Sequence, residues 1–295
     1  MKQKYLRIKI TGGLGNQLFK FFSAYRIARE SKRKLIIDTT WYKYSNISGG
    51  LVNNRDYQLN QFKEINSIEC VESRNWRLHK IHGQLMRKLP KETRESAGYF
   101  MDDLNSKFLS NRKSITLDGS FEDVRLLPSN QEILRIWHSL NIENDEYRKY
   151  LEQIITIKPL IIHVRLTDYL NFGHLYDVLT REYYLQGIRN SEIYSGQRPI
   201  WLFSDNPPQA ETWLNLGDKI SKVFPENTKL NPLQIMNLMS NAGDLIIAHS
   251  TFSWWAAYIG TLYGQISNVY MPSRFFRNQM VSINLRAFDW KVINV

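Results

Sequence analysis

Short apolar runs that alternate with helical patterns restrict the possible folds of this chain more than any other feature. Strands that alternate with helices are typical of a parallel sheet with helices on its faces. In the second half of the chain, helical patterns separate five such runs. The runs are residues 160–165, 200–203, 219–224, 244–248 and 266–271. We therefore predict an α/β domain with a parallel sheet in this half.

The first half begins with a unit of the same kind. Residues 5–10 alternate like a strand, and a glycine turn at residues 12–17 follows. Residues 18–31 then carry apolar side chains at helical spacing, and residues 34–38 are a second apolar run. This order is the opening of a doubly wound α/β domain.

A domain boundary near Pro159 is indicated by the helical pattern that ends before it and the strand pattern that follows it. A length of 295 residues suffices for two domains of about 150 residues each. We therefore place the domains at residues 1–157 and 158–295. Residues 40–60 show no clear period, and we interpret them as a long loop.

The formal net charge of +11 indicates anionic partners. Nucleic acid, a nucleotide or its sugar conjugate, and an anionic membrane surface all fit, and charge alone does not choose among them. The densest basic stretch, residues 74–94, has the pattern of an amphipathic helix, which is either a solvated face or a membrane contact. No apolar run reaches the roughly 18 residues that span a bilayer, and no signal-peptide pattern opens the chain. We expect a cytoplasmic protein, with peripheral contact to the cytosolic face of a membrane left open.

Residues that bind metals are sparse in this sequence. The single cysteine, Cys70, excludes an internal disulfide bond, and we expect its side chain to be packed. His79 and His82 lie on the basic helix, and no cluster of His, Asp and Glu has metal-ligand spacing. We expect neither a metal nor another cofactor.

Polar side chains follow the apolar run at residues 160–162 at once, namely His163, Arg165 and Asp168. In parallel α/β sheets, ligands bind beyond the carboxyl ends of the strands. The guanidinium group of Arg165 offers a fixed fork of donors that matches a phosphate. The alternative is an ion pair of Arg165 with Asp168 that only stabilises the loop, because structural pairs resemble functional ones.

The glycine turn at residues 12–17 is a second candidate site. Glycines between a strand and a helix let backbone N–H groups approach a ligand, and the helix N-terminus favours negative charge. The adjacent amides of Asn16 and Gln17 can donate to sugar hydroxyls and phosphate oxygens together. The glycine spacing fits neither the dinucleotide-binding fingerprint nor a P-loop. The alternative is a tight turn in which Asn16 caps the helix.

Two further strand ends carry candidate ligands of a nucleotide. Ser204 and Asp205 follow one strand, and Asp205 either accepts from a base or ribose hydroxyl or caps the next helix. Residues 250–253 join another strand to a helix, where hydroxyls and N–H groups suit a diphosphate. Phe252 is a candidate to line that site, whereas the adjacent residues 254–255, both tryptophan, are expected in the core.

Four motifs occur in order between residues 12 and 256 and so span most of the chain. They are Gly12-Gly-Leu-Gly-Asn-Gln-Leu-Phe19, His163-Val-Arg-Leu-Thr-Asp-Tyr169, Phe203-Ser-Asp205 and Ser250-Thr-Phe-Ser-Trp-Trp-Ala256. Together they resemble the signatures of the α-1,2-fucosyltransferases, glycosyltransferase family 11. The resemblance implies an α/β fold of the GT-B type, in which two Rossmann-like domains face each other across a cleft.

The resemblance also implies metal-independent, inverting transfer of L-fucose from GDP-L-fucose to a galactoside hydroxyl in α-1,2 linkage. The implied acceptor is a galactose-containing glycan such as an O-antigen unit, free or lipid-linked. Residues 1–157 are then the acceptor-side domain and residues 158–295 the GDP-fucose domain, with Arg165 as the catalytic residue. The implied donor-binding residues are Gly13, Asn16, Gln17, His163, Arg165, Asp168, Ser204, Asp205, Ser250, Thr251, Phe252 and Ser253.

Two positions depart from the family pattern. Leu166 stands where the family has a second arginine, and we expect it to pack behind Arg165, because neighbours in a strand point to opposite faces. His249 stands where the family commonly has asparagine. These departures leave open a GT-B transferase for a different nucleotide sugar, whereas a basic nucleic-acid-binding protein is supported by charge alone. The residue that accepts the proton is not assigned, and Asp38 and Asp56 are unranked candidates.

Overall fold

The computed structural model describes residues 3–45, 55–102, 112–166, 179–225, 228–275 and 284–295. The chain forms two compact units, Met1–Asn141 and Ile142–Val295. The boundary lies one helix earlier than the expected boundary after residue 157. The reason is that helix Asp145–Ile157 packs against helix Pro232–Met239 of the second unit.

The first unit is an α/β unit, as predicted. Its strands are β1 (Tyr5–Lys9), β2 (Lys34–Asp38), β3 (Glu69–Val71), β4 (Tyr99–Phe100) and β5 (Ser114–Leu117). Its helices are α1 (Leu14–Glu30), α2 (Thr40–Ser45), α3 (Lys63–Asn66), α4 (Trp76–Lys88), α5 (Lys91–Ser96) and α6 (Asn130–His138). Within the described residues these strands form one parallel sheet in the order β3-β2-β1-β5-β4.

Helix α1 begins at Leu14, inside the glycine turn and about one turn of helix before the predicted start. Gly12 has a φ of +84°, in the left-handed region that favours glycine. Gly13 is the N-cap residue, and no side chain caps the helix. Asn16 lies inside α1, so the interpretation of Asn16 as a helix cap is wrong.

Two helical regions differ from the sequence expectations. The stretch expected to be a long loop contains α2 and a 3₁₀ turn at Leu59–Gln61, while residues 46–54 lie outside the described residues. The basic stretch forms two helices, α4 and α5, rather than one. Pro90 separates them, because proline lacks the N–H that a continuous helix requires.

The second unit is also α/β. Its strands are β6 (Leu160–Val164), β7 (Ile200–Ser204), β8 (Ile220–Phe224), β9 (Asp244–Ile246), β10 (Asn268–Pro272) and β11 (Lys291–Ile293). Its helices are α7 (Asp145–Ile157), α8 (Arg181–Ser195), α9 (Pro207–Leu214), α10 (Pro232–Met239) and α11 (Thr251–Leu262). All five predicted strands are present, and β11 is an additional strand that the sequence pattern did not predict.

The sheet of the second unit has the strand order β11-β10-β9-β6-β7-β8, and all pairs are parallel. Counted within the unit, this is the order 3-2-1-4-5-6 of a Rossmann fold. The chain runs outward from β6 to β8 and then returns to β9 on the other side of β6. The carboxyl ends of β6 and β9 therefore flank the topological switch point, where such sheets bind ligands.

Burial agrees with most of the expected core. Every residue of β6 and β7 is buried, as expected for central parallel strands. Trp254 and Trp255 are completely buried in α11, which confirms that they are core residues. The expectation for Cys70 is wrong, because this residue lies on the edge strand β3 and is exposed.

Candidate functional site

Arg165 directly follows β6, beside the topological switch point of the second unit. Its Nε lies 3.8 Å from Oδ2 of Asp205, which follows the neighbouring strand β7. The two side chains are 24% and 20% exposed, so the pair is accessible to a ligand from solvent. The fold thus brings together two predicted site residues from two strand ends. Asp168, the partner considered from the sequence, lies outside the described residues.

Asp205 also holds the backbone that follows β6. Its Oδ1 accepts a hydrogen bond of 2.9 Å from the backbone N–H of Leu166. The cap of α9 is Asn206, whose side chain accepts from the backbone N–H of Gln209. The interpretation of Asp205 as a helix cap is therefore wrong. Its carboxylate joins two strand ends and faces the guanidinium group of Arg165.

His163 lies one residue before the end of β6 and is almost completely buried. Its ring centroid is 5.9 Å from that of Phe252, with an angle of 32° between the planes. Burial, together with the charge of Arg165, lowers the pKa of His163 to about 3, while Asp205 opposes the shift. The imidazole is therefore neutral near pH 7, and it contributes no positive charge to a diphosphate.

The N-terminus of α11 lies at the carboxyl side of β9. Ser250 is the N-cap residue, and its hydroxyl accepts a hydrogen bond of 3.3 Å from the backbone N–H of Phe252. Thr251 and Phe252 form the partly exposed first turn of the helix. Helix starts of this kind favour anions, because backbone N–H groups and the helix dipole point toward them.

Two serines of the later motifs support the backbone. The Ser204 hydroxyl accepts from the backbone N–H of Asn206 at 3.1 Å, inside the turn that follows β7. Ser253 is completely buried, donates to the Ser250 carbonyl at 3.3 Å, and accepts from the Ala248 N–H at the same distance. Both hydroxyls therefore shape the strand ends, and their expected contact with a donor stays a prediction.

The glycine turn holds the three predicted site residues of the first unit, Gly13, Asn16 and Gln17. A Cβ on Gly13 would lie 3.6 Å from a guanidinium nitrogen of Arg55, so the turn packs closely against this side chain. Asn16 is partly exposed on the first turn of α1. Gln17 is completely buried instead.

Three hydrogen bonds occupy the Gln17 amide. It donates to the carbonyl groups of Gly12 at 3.1 Å and Asp56 at 2.9 Å, and it accepts from the N–H of Gln58 at 3.0 Å. Gln17 therefore joins the glycine turn to the segment that contains Asp56. The amide is thus enclosed and already paired within the protein. Its expected contact with a donor stays a prediction.

Comparison with known proteins gives two related sequences from Escherichia coli, whereas no family model matches the chain. The O-antigen biosynthesis glycosyltransferase WbnK is 29% identical over 305 residues, which cover 90% of this chain and 93% of the relative. An alpha-1,2-colitosyltransferase is 25% identical over 261 residues, which cover 85% of this chain and 86% of the relative.

The fold is similar to that of solved fucosyltransferases. Fucosyltransferase NodZ from Bradyrhizobium matches with a TM-score of 0.52 and 14% identity, over 88% of this chain and 94% of NodZ. NodZ alpha-1,6-fucosyltransferase soaked with GDP-fucose matches with a TM-score of 0.53 and 15% identity, over 91% of this chain and 94% of that chain. The resemblance to the fucosyltransferase family is confirmed. The predicted α/β fold class of the GT-B type is confirmed with it.

Both departures from the fucosyltransferase family pattern lie beside Arg165. Leu166 is 6% exposed and packs in the core of the second unit with Val164 and Tyr184, which confirms that it packs behind Arg165. Arg165, Leu166 and His249 line one small pocket of about 10 Å³. The positions where the fucosyltransferase family has arginine and asparagine are therefore close together, and this chain fills them with leucine and histidine.

A polar cluster at the strand ends of the first unit was not predicted from the sequence. Asp118, which follows β5, accepts from Lys9 at 3.2 Å, from Arg87 at 2.6 Å and from the hydroxyl of Tyr99. Burial would raise the pKa of Asp118, but the hydrogen bonds of Arg87 and Tyr99 and the charge of Lys9 lower it to about 2. The strand-end rule that indicated Arg165 would also have indicated Asp118.

A second polar pair of the first unit joins β2 to α4. His79 Nε2 lies 3.6 Å from Oδ2 of Asp38, whose carboxylate is 2% exposed. Asp38 was an unranked candidate, and His79 was considered only as a metal ligand. Within the described ranges, no group of three or more His, Cys, Asp and Glu residues is arranged to hold a metal ion. Metal independence nevertheless remains a prediction about activity.

Proposed function

We propose that this protein transfers L-fucose from GDP-L-fucose to a galactoside hydroxyl of a glycan such as an O-antigen unit. The proposed linkage is α-1,2, formed with inversion and without a metal. The observation that supports this best is the pairing of Arg165 with Asp205 at neighbouring strand ends, beside the switch point of a Rossmann-order sheet. Relatives named for O-antigen biosynthesis and for α-1,2 transfer support the acceptor class and the linkage.

In this proposal, Arg165 binds phosphate oxygens and stabilises the negative charge that grows on the departing GDP. A preorganised donor of this kind contributes about 3–4 kcal/mol to the transition state. Asp205 orients the guanidinium group, and the start of α11 adds backbone N–H groups toward the diphosphate. The acceptor hydroxyl attacks the anomeric carbon from the opposite face, so the configuration inverts.

A transferase for another GDP-sugar is the second candidate, and the relative named alpha-1,2-colitosyltransferase favours it. Colitose lacks one hydroxyl group of fucose. A site that hydrogen-bonds this hydroxyl discriminates strongly against a sugar that lacks it, because the site's polar groups would be left unpaired. The two donors are therefore separable by their relative rates.

The decisive experiment measures GDP release from GDP-fucose, GDP-colitose and GDP-mannose in the presence of EDTA, with and without simple galactosides. We expect release from GDP-fucose that galactosides stimulate. Arg165→Ala should lower this rate by about 10²–10³-fold. The control Arg189→Ala removes an exposed arginine that pairs with Glu182 on α8, and it should keep the wild-type rate.

Three outcomes would change this assignment. Near-normal turnover of Arg165→Ala would remove Arg165 from the mechanism. Faster turnover of GDP-colitose than of GDP-fucose would establish the second candidate. If the protein neither binds nor hydrolyses any GDP-sugar of the panel, the proposed function is wrong.

We also propose that the protein contacts an anionic membrane surface through α4. Leu78, Ile81 and Leu85 lie three and four residues apart on this helix and are 62%, 51% and 59% exposed. Arg77 and Lys88 lie beside this apolar stripe, so its surroundings are positively charged. In the part of the chain that is described, no helix is both long and apolar enough to cross a bilayer. A peripheral contact of this kind would suit a lipid-linked acceptor.

A further inference from the structure

A cavity of about 360 Å³ lies at the carboxyl ends of three strands of the first unit, and its volume is within the range of ligand pockets. Lys9 ends β1, Asp38 ends β2 and Asp118 follows β5, and all three line it. The switch point of this sheet lies between β1 and β5, since the chain extends to β3 on one side and places β4 and β5 on the other. The cavity therefore occupies the position at which α/β sheets bind ligands.

The wall of this cavity suits a sugar. Trp41 and Tyr44 give it aromatic surfaces, and the Tyr44 ring stacks on Trp76 with centroids 5.6 Å apart. Charged and amide side chains, including Lys80 and Gln84, complete the lining. A pyranose ring has an apolar C–H face that packs on aromatic rings, while its hydroxyl groups take hydrogen bonds from polar neighbours.

The turn that begins the first family motif also borders the cavity. Thr11 and Gly12 form part of its lining, and they immediately precede the start of α1. The opposite side is α4, which comes close to the sheet at Gly83. A Cβ at Gly83 would lie 3.1 Å from Nζ of Lys9, so this glycine permits the close approach.

His79 and Asp38 both line this cavity and lie close to each other. Asp38 is fixed by the backbone N–H of Thr40, which donates to Oδ1 at 3.0 Å, and its Oδ2 faces His79 Nε2 at 3.6 Å. This distance is long for a hydrogen bond, as is common for catalytic pairs without substrate. A proton on Nε2 that points to Asp38 leaves Nδ1 as the basic nitrogen of the ring.

Burial is the main reason that the imidazole of His79 stays neutral. Burial lowers its pKa, the nearby charges of Lys9 and Arg7 on β1 lower it further, and Asp38 and Asp118 oppose the shift. A neutral imidazole can take a proton, and the carboxylate of Asp38 then stabilises the imidazolium that forms.

We propose that this cavity binds the acceptor saccharide and that His79, oriented by Asp38, takes the proton of the attacking hydroxyl. This inference rests on the proposed function. The acceptor O–H bond breaks and its proton moves to His79, while the oxygen forms a bond to the anomeric carbon of the donor. The bond from that carbon to the diphosphate oxygen breaks, and GDP leaves with the electron pair. His79 then releases the proton to water.

The first test compares His79→Gln with His82→Gln, which makes the same change at an exposed position of the same helix outside the cavity. The measured rates are galactoside-dependent GDP release and galactoside-independent hydrolysis of GDP-fucose. His79→Gln should lower the galactoside-dependent rate by about 10²-fold or more. Its affinity for GDP should match that of the wild type and of His82→Gln.

The pH profile separates a catalytic role from a structural one. In the wild type, galactoside-dependent turnover should fall as the pH drops through the pKa of His79, and His79→Gln should lack this acid limb. Asp38→Asn should move the limb to lower pH, because the imidazolium loses its counter-charge. Trp41→Ala should raise the galactoside KM more than it lowers kcat, since it removes a binding surface and not the base.

The outcomes distinguish this inference from the proposed function. If the wild type neither binds nor hydrolyses GDP-fucose, the proposed function itself is refuted. If GDP-fucose is turned over, equal galactoside-dependent rates in His79→Gln and wild type, or an acid limb that persists in His79→Gln, would overturn the inference. It would also be overturned if saturation-transfer NMR shows that Trp41→Ala leaves galactoside binding unchanged.

Discussion

At the scale of single residues, Leu166 decides which charges the end of β6 presents. The family pattern has two successive arginines here, whereas this chain keeps Arg165 in a partly exposed position and buries the next side chain. Since Leu166 packs with core residues, an arginine at this position would bring a charge into an apolar environment. The cost of such burial is large unless a partner compensates it.

We therefore expect Leu166→Arg alone to destabilise the protein by about 3 kcal/mol or more, because a buried and uncompensated charge has a cost of this order. His249 lines the same small pocket, so adding His249→Asn should recover part of the loss. Urea unfolding followed by circular dichroism measures both effects.

Leu166→Met is the matched control, and it should cost less than about 1.5 kcal/mol because it conserves volume and polarity. An unchanged unfolding midpoint for Leu166→Arg would show that the pocket accommodates the charge. Equal midpoints for the single and double variants would show that positions 166 and 249 are not coupled.

At the scale of elements, the carboxyl ends of β6 and β7 act as one unit through Asp205. One oxygen of this carboxylate accepts from the Leu166 N–H, and the other faces Arg165. These two functions are separable by substitution. An asparagine can keep the hydrogen bond to the backbone, whereas it cannot keep the charge.

We expect Asp205→Asn to retain the wild-type unfolding midpoint and to weaken GDP binding, since Arg165 loses its partner but the strand ends stay joined. Asp205→Ala should lose both properties, with a destabilisation of about 1–3 kcal/mol for the backbone N–H left without its acceptor. Isothermal titration with GDP and urea unfolding measure the two effects. Wild-type GDP affinity in both variants would exclude Asp205 from the donor site.

Helix α4 has one face toward the cavity of the first unit and one face that is exposed. His79 and Gly83 line the cavity of the first unit, while Leu78 and Leu85 are exposed on the outside. This arrangement would bring the acceptor cavity next to a membrane surface if the outer face lies on lipid.

We expect the protein to sediment with vesicles rich in phosphatidylglycerol and not with phosphatidylcholine vesicles, and salt should weaken the binding. Leu78→Ser with Leu85→Ser should reduce binding roughly tenfold for each leucine, since burial of a leucine contributes on the order of 1.5 kcal/mol. The matched control is Ile155→Ser with Ile157→Ser, which changes two exposed apolar residues of α7. Equal loss in both double variants would contradict a specific role of α4.

The sequence predicted elements well where burial imposes a clear period. Central parallel strands are apolar on both faces, and β6 and β7 were recognised for this reason. Strands β3, β4 and β11 were missed because two or three residues show no period. The boundaries of α4 and α5 were missed because the basic pattern continues across Pro90, although the proline itself was a usable signal.

At the scale of the whole molecule, neither the order of the strands nor the contacts between residues far apart in sequence could be predicted from the sequence pattern. Arg165 and Asp205 were found because each follows its own strand, and the strand-end rule applies to each separately. The pair of His79 and Asp38 was missed because the two residues are far apart in sequence and only the packing of α4 on the sheet brings them together. The burial of Gln17 was not predicted, because an amide beside a glycine turn carries no sign of burial in the sequence.

We expect GDP-fucose turnover to be unaffected by excess EDTA, because in the proposed mechanism arginine and backbone N–H groups neutralise the diphosphate. The measurement is the initial rate of GDP release before and after chelation, with addition of Mg²⁺ or Mn²⁺ as the control. A rate that EDTA abolishes and either ion restores would show that a metal takes part in the reaction.

The enclosed amide of Gln17 has a consequence for communication within the first unit. Because one side chain bonds to both Gly12 and the segment Asp56–Gln58, the positions of these two backbone segments are not independent. A ligand that requires this conformation of the glycine turn also selects the matching conformation of the segment. If the first ligand changes the affinity of the segment for a second ligand, the second ligand must change the affinity of the glycine turn for the first by the same factor.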